Sequence, residues 1–108
     1  MIARLTRDPR PLYIIAPNLA GCYRTALAHG INPETLGAVR CITSAYQLRG
    51  TRPGTPFITH ARETWVRAMP DIFALDQAVD LLTRTGRLRV AGDDDIAAAR
   101  GVTVEADA

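Results

Sequence analysis

Five consecutive apolar residues, Leu12-Tyr13-Ile14-Ile15-Ala16, are followed at once by Pro17-Asn18 and then by apolar residues at helical spacing. The run is of strand length, rich in β-branched and aromatic side chains, and does not alternate with polar residues. That pattern predicts a strand buried on both faces. Pro17 stops the strand, and Asn18 is a natural helix N-cap. Leu19, Cys22, Tyr23, Ala26 and Leu27 then mark one face of an amphipathic helix, with Gly30 as its stop. A strand with two buried faces needs helices on both sides. The pair therefore predicts an α/β fold with a small, mainly parallel sheet of about three to five strands.

The remaining chain continues the alternation. Asn32-Pro33-Glu34 predicts a short helical turn ended by Gly37. Residues 38–43 read as a second strand, joined to the first in a right-handed parallel βαβ unit. Ser44 caps a single turn over residues 45–49, and Gly50 closes it. Residues 51–54 form a turn. Residues 55–60 read as a third strand, with Pro56 near its start, where proline is tolerated. Residues 61–69 fit a helix and a loop equally. Pro70-Asp71 opens the longest helix, with Ile72, Leu75, Val79 and Leu82 as its stripe, Phe73, Ala78 and Leu81 widening it, and Gly86 ending it. Residues 87–91 read as a fourth strand. Asp93-Asp94-Asp95 begin a short helix through Arg100, as the positive end of the helix dipole favours. Residues 101–105 suggest an edge strand. The reading is one domain over 1–108, with an irregular arm at 1–10 and a frayed tail from about residue 105.

All 13 basic residues are arginine, and the chain has no lysine. Lysine Schiff bases, lysine general bases and a phosphate-loop lysine are thereby excluded. Abundant alanine, glycine and proline beside this arginine bias point to a GC-rich coding sequence, as in a high-GC bacterium or its phage. Cys22 and Cys41 belong to no C-x-x-C pair and read as buried apolar thiols. No apolar run approaches the roughly 18–20 residues of a membrane helix. The first ten residues carry three arginines and no apolar core of a signal sequence. The expected location is cytoplasmic, with no membrane partner.

Charge is unevenly distributed. Residues 1–67 hold nine arginines against three acids, a net +6; residues 68–108 hold four against eight, a net −4. Within the basic half, Tyr46, Arg49, Arg52, His60, Arg62, Trp65 and Arg67 cluster around the ends of the second and third strands. In an open α/β sheet those ends share one edge, where ligands bind. Arginine grips carboxylate or phosphate, and Tyr46 and an exposed Trp65 offer contact area. The Pro17-Asn18 loop has no phosphate-cradling glycines. Ser44, His60 and Glu63 are of nucleophile, base and orienter types but lack a nucleophile elbow. Asp93-Asp94-Asp95 have no companion ligands. The chain is therefore expected to have no catalytic residues, cofactor or metal.

The segments Tyr13-Ile-Ile-Ala-Pro-Asn-Leu-Ala, Val39-Arg-Cys-Ile-Thr-Ser-Ala-Tyr-Gln-Leu-Arg-Gly and Pro56-Phe-Ile-Thr-His resemble small phage-encoded, actinobacteriophage-type α/β proteins. Those in turn resemble a degenerate phosphate-loop ATPase core. The resemblance spans about residues 12–65 and implies a Rossmann-like topology and a phage origin. It does not extend to ATP hydrolysis. There is no phosphate loop, and Thr59-His60 stand where a magnesium-holding carboxylate would be expected. The function this reading predicts is a non-catalytic protein–protein interaction through the arginine and aromatic edge, with another protein or with itself as a homodimer. Alternatives are a nucleic-acid or nucleotide module using the same edge, and a small hydrolase.

Overall fold

The apolar run after Pro11 forms the first strand, β1 (Leu12–Ile15), and all four of its residues are buried. Three more strands follow: β2 (Val39–Ile42), β3 (Thr55–Thr59) and β4 (Leu88–Val90). The structure is a computed structural model describing residues 11–34 and 38–100. The predicted arm, the Gly37 stop, the strand over 101–105 and the tail lie outside the described residues.

The sheet order is β2-β1-β3-β4, with every neighbouring pair parallel. Tyr13 pairs in register with Arg40 on one side and Phe57 on the other, so β1 is internal. Alternating side chains of β1 enter two separate cores. Tyr13 and Ile15 join Ile42, Phe57 and Leu88 beneath helix α2 (Pro70–Arg84), which contributes Leu75 and Val79. Leu12, Ile14 and Ala16 join Cys22 and Ala26 of helix α1 (Leu19–Ala28) and Ala99 of helix α3 (Asp93–Arg100). The α/β architecture expected from the sequence is the one found: a parallel sheet between helical layers.

The capping signals act as expected. The Asn18 side chain accepts from the Gly21 amide at 2.8 Å. Gly30 and Gly86 take left-handed φ values of 73° and 82° just beyond the ends of α1 and α2. The second start signal behaves differently. Asn32 accepts from the Glu34 amide at 2.9 Å, a local turn rather than a helix. Ala45–Leu48 is a 3₁₀ turn, and the ambiguous residues 61–69 contain only the 3₁₀ turn Arg62–Thr64.

Both long helices bury narrower stripes than expected. In α1 the buried positions are Gly21, Cys22, Thr25 and Ala26, whereas Leu19 and Leu27 are exposed. Gly21 presses against Ala16 and His60, which turns the helix toward its small residues. In α2, Leu75 and Val79 are fully buried, while Phe73 and Leu81 are half-exposed. At 100° per residue these two fall well away from the Leu75–Val79 line. Leu75→Ala should therefore lower unfolding free energy by about 3 kcal/mol, and Leu81→Ala by less than about 1 kcal/mol. Urea denaturation measures both, and equal losses would contradict this placement of α2.

Candidate functional site

After β1 the chain turns to β2 on one side, then crosses to β3 on the other. Such a switch leaves a crevice at the carboxyl ends of the strands, because the loops leave in opposite directions. Two hollows lie there. One, of about 370 Å³, is walled by Thr43, Ser44, Tyr46 and Asp71. The other, of about 260 Å³, is walled by Asn18, His60, Thr64 and Val66. Pro17 and Ile72 line both, so the two adjoin.

His60 forms part of the wall of the second hollow. Its amide donates to Ile15 O at 3.0 Å, continuing the β3–β1 ladder. Its ring Nδ1 lies 2.8 Å from Thr25 Oγ1. The ring also rests on Gly21, where a Cβ would come within 2.9 Å of Cδ2. Its carbonyl accepts from Trp65 Nε1 at 2.8 Å. The next residue, Ala61, holds a left-handed φ of 42°, the sole positive φ outside glycine among the described residues. That conformation costs a non-glycine residue roughly 1–2 kcal/mol. The Ala61 carbonyl, accepting from both the amide and the hydroxyl of Thr64 at 2.8 and 2.7 Å, helps hold it there.

The predicted edge separates into three parts. Tyr46 is 73% exposed, with the Arg49 guanidinium 5.1 Å from its ring centre, and Arg52 lies on the exposed turn before β3. His60 belongs to the crevice wall. The third part, Arg62, Trp65 and Arg67, forms a brace between α2 and the loop after β3. Trp65 was expected to be exposed, and this is corrected: it is 5% exposed and packed in the α2-side core. Its only polar atom is satisfied by the His60 carbonyl, so the whole indole can be buried.

Arg62 and Arg67 converge on Asp76, a residue the sequence reading did not single out. Arg62 Nε lies 2.7 Å from Asp76 Oδ1, and Arg67 Nε lies 3.0 Å from Oδ2. Arg62 also reaches Asp80 at 2.7 Å and the Asp76 carbonyl at 3.1 Å. Burial by itself raises the Asp76 pKa. The hydrogen bonds and charges of Arg67 and Arg62 outweigh it and hold the carboxyl below the usual aspartate range. The brace fastens the loop from His60 to Met69 onto α2, and that loop forms one wall of the crevice.

The residue types of a hydrolase do not assemble. No hydrogen bond joins Ser44, His60 and Glu63 among the described residues; Ser44 and His60 line different hollows, and Glu63 is exposed. Asp95 is tied to Arg89 at 2.7 Å and to the Gly92 amide at 2.8 Å, as a helix start requires. Among the described residues no three His, Cys, Asp or Glu side chains group as metal ligands, and no helix is long and apolar enough to cross a membrane. No family model matches the chain, and neither a curated protein nor a solved structure shows significant similarity to it.

Two outcomes test this geometry. A carboxylate with a depressed folded pKa stabilises fully above its unfolded value near about 4 and ceases to stabilise as pH falls through the folded pKa. Asp76→Asn should therefore lose roughly 2–3 kcal/mol at neutral pH. The gap to the parent protein should narrow in urea titrations below about pH 4; a constant gap would remove the ion pairs as its cause. Gly21→Ala improves helix propensity by about 1 kcal/mol, yet places a methyl into the His60 ring and 3.2 Å from the Ala16 Cβ. The contact should dominate and give net destabilisation, partly relieved when His60→Ala is added. A more stable Gly21→Ala protein would contradict the close approach.

Proposed function

We propose that this chain is a non-catalytic protein-binding domain whose partner docks along the carboxyl edge of the sheet. One observation carries the reading: large apolar side chains are exposed around the two adjoining hollows. Tyr46 is 73% exposed, Val66 55%, Met69 53% and Phe73 50%. Tyr46 and Val66 line the hollows, and Met69 and Phe73 flank Ile72, which lines both. Exposed apolar area around a concavity is what a protein partner buries, with aromatic residues as anchors.

The electrostatics favour protein over nucleic acid. Phosphate recognition draws on guanidinium groups with unspent hydrogen-bonding capacity. Arg62 and Arg67 are instead committed to Asp76 and Asp80. Arg49, stacked on Tyr46, supplies positive charge at the rim and suits an acidic flank on the partner.

The test compares capture from cell lysate by the parent protein and by a Tyr46→Ser, Phe73→Ser double variant, with and without nuclease. Both positions are at least half exposed, so the variant should fold. A nuclease-resistant protein partner whose recovery falls more than about tenfold with the variant is the expected result. Equal recovery by the variant, or loss on nuclease treatment, would overturn the reading. Sedimentation of the purified chain distinguishes a second copy of this chain from a different protein.

A further inference from the structure

The two cysteines of the chain are 19 positions apart in sequence, but the fold brings them together. Cys22 lies in the first turn of α1 and is completely buried on the sheet. Its sulfur sits 3.2 Å from the Ile14 carbonyl and 3.8 Å from the Ile42 carbonyl. Those residues bracket Cys41: Ile14 is its register partner across β1 and β2, and Ile42 is its neighbour in the chain. Cys41 packs against the same core as Cys22, and it lies on an edge strand where it retains partial exposure. We infer that Cys22 and Cys41 are a redox-active pair that peroxide closes to an intramolecular disulfide, with Cys41 reacting first.

The environments of the two thiols set that order. Burial, together with the neighbouring Cys41, pushes Cys22 up to about 12, so it stays protonated at neutral pH. Burial also raises Cys41, but its interaction with the Cys22 thiol acts in the opposite direction and favours the Cys41 thiolate. The thiolate is the nucleophile, so the partly exposed Cys41 meets the oxidant. Its sulfur attacks hydrogen peroxide, the O–O bond breaks, and the released hydroxide takes up the proton lost from Cys41 to give water. Cys41 is left as a sulfenic acid. The Cys22 sulfur then attacks the Cys41 sulfur. The S–S bond forms, the S–O bond breaks, and the hydroxyl leaves with the Cys22 proton as a second water. The two thiols together lose two electrons and two protons, and one peroxide becomes two waters. The raised Cys41 pKa makes the first step slow at neutral pH and faster as pH rises.

The product would cross-link α1 to β2. Asn18, the cap of α1, and Thr43, just beyond β2, wall the two hollows. The bond would therefore fix the spacing between two sides of the crevice, whatever the crevice holds.

Mass spectrometry of the native full chain tests the inference directly. After peroxide treatment and alkylation in denaturant, the protein should be monomeric, carry no alkyl group and weigh about 2 Da less than the reduced form. Reduction by a dithiol should restore two alkylatable thiols, and the oxidised form should melt about 10 °C higher. In Cys22→Ala, oxidation should stop at a Cys41 sulfenic acid, about 16 Da heavier and trapped by a 1,3-dicarbonyl reagent. Cys41→Ala should resist the same treatment. Retention of two free thiols, oxygen adducts without the mass loss, or cross-links between chains would each overturn the pair. Equal reactivity of Cys22 in Cys41→Ala would overturn the order of attack. The measurement on the unmutated protein decides the central claim even if a variant fails to fold.

Discussion

Leu12, Ile14 and Ala16 point to one face of the sheet and Tyr13 and Ile15 to the other, and all five are removed from water. Each large side chain contributes about 1.5–3 kcal/mol when fully buried, so neither face of β1 can be left open. Parallel neighbours on both sides satisfy its backbone, and parallel connections must cross over a face of the sheet. Those crossings supply the covering helices. Once α1 covers one face on the way to β2 and α2 covers the other on the way to β4, the loops leaving β1 and β3 must part. The crevice is a consequence of how β1 is buried.

The crevice is then stiffened by interactions of a different kind. The backbone of His60 completes the sheet through its amide and anchors Trp65 through its carbonyl. The ring leans on α1 where Gly21 has no side chain. A few residues later the loop is pinned by two guanidinium groups on one buried carboxylate. The Ala61 strain persists because the bonds on either side of it over-determine the path of the chain. A loop held at so many points presents Val66 and Met69 in a fixed arrangement. A pre-organised surface loses less conformational entropy on binding than a mobile one.

The parts of this design that were legible in the sequence are those written in local spacing. The apolar run, the Asn18 cap, the glycine stops at Gly30 and Gly86 and the Pro70 helix start each act within a few residues, and each appears near its expected place. The tertiary partners were not legible. Asp76 is 14 positions from Arg62 and nine from Arg67, and it reads as an ordinary polar residue of α2 until the loop folds back. Trp65 followed the same logic. Among arginines it resembled a contact residue, but a core position and the His60 carbonyl were waiting for it. Helical periodicity also overstated the buried faces, because spacing alone does not reveal how close a glycine lets two elements come. Leu19 and Leu27 were lost to solvent for that reason, and Phe73 and Leu81 because they lie off the Leu75–Val79 line of α2.

The charge asymmetry of the sequence changes meaning once these pairs are known. A basic first part and an acidic second part fit either a surface that grips phosphate or carboxylate, or two halves that neutralise each other on folding. In the fold, Arg62 and Arg67 from the basic part meet Asp76 and Asp80 from the acidic part. Part of the apparent excess is therefore cancelled within the molecule. Because Asp76 is nearly enclosed, the pairing is screened by solvent less than a surface ion pair would be. The arginines that looked like a grip on a ligand instead hold the wall of the crevice. With Arg62 and Arg67 paired to Asp76, the large apolar side chains that the wall leaves exposed are Val66 and Met69. Under the docking proposed above, a surface whose charges are used behind it would select its partner by shape and burial, with Arg49 near the rim adding a preference in orientation.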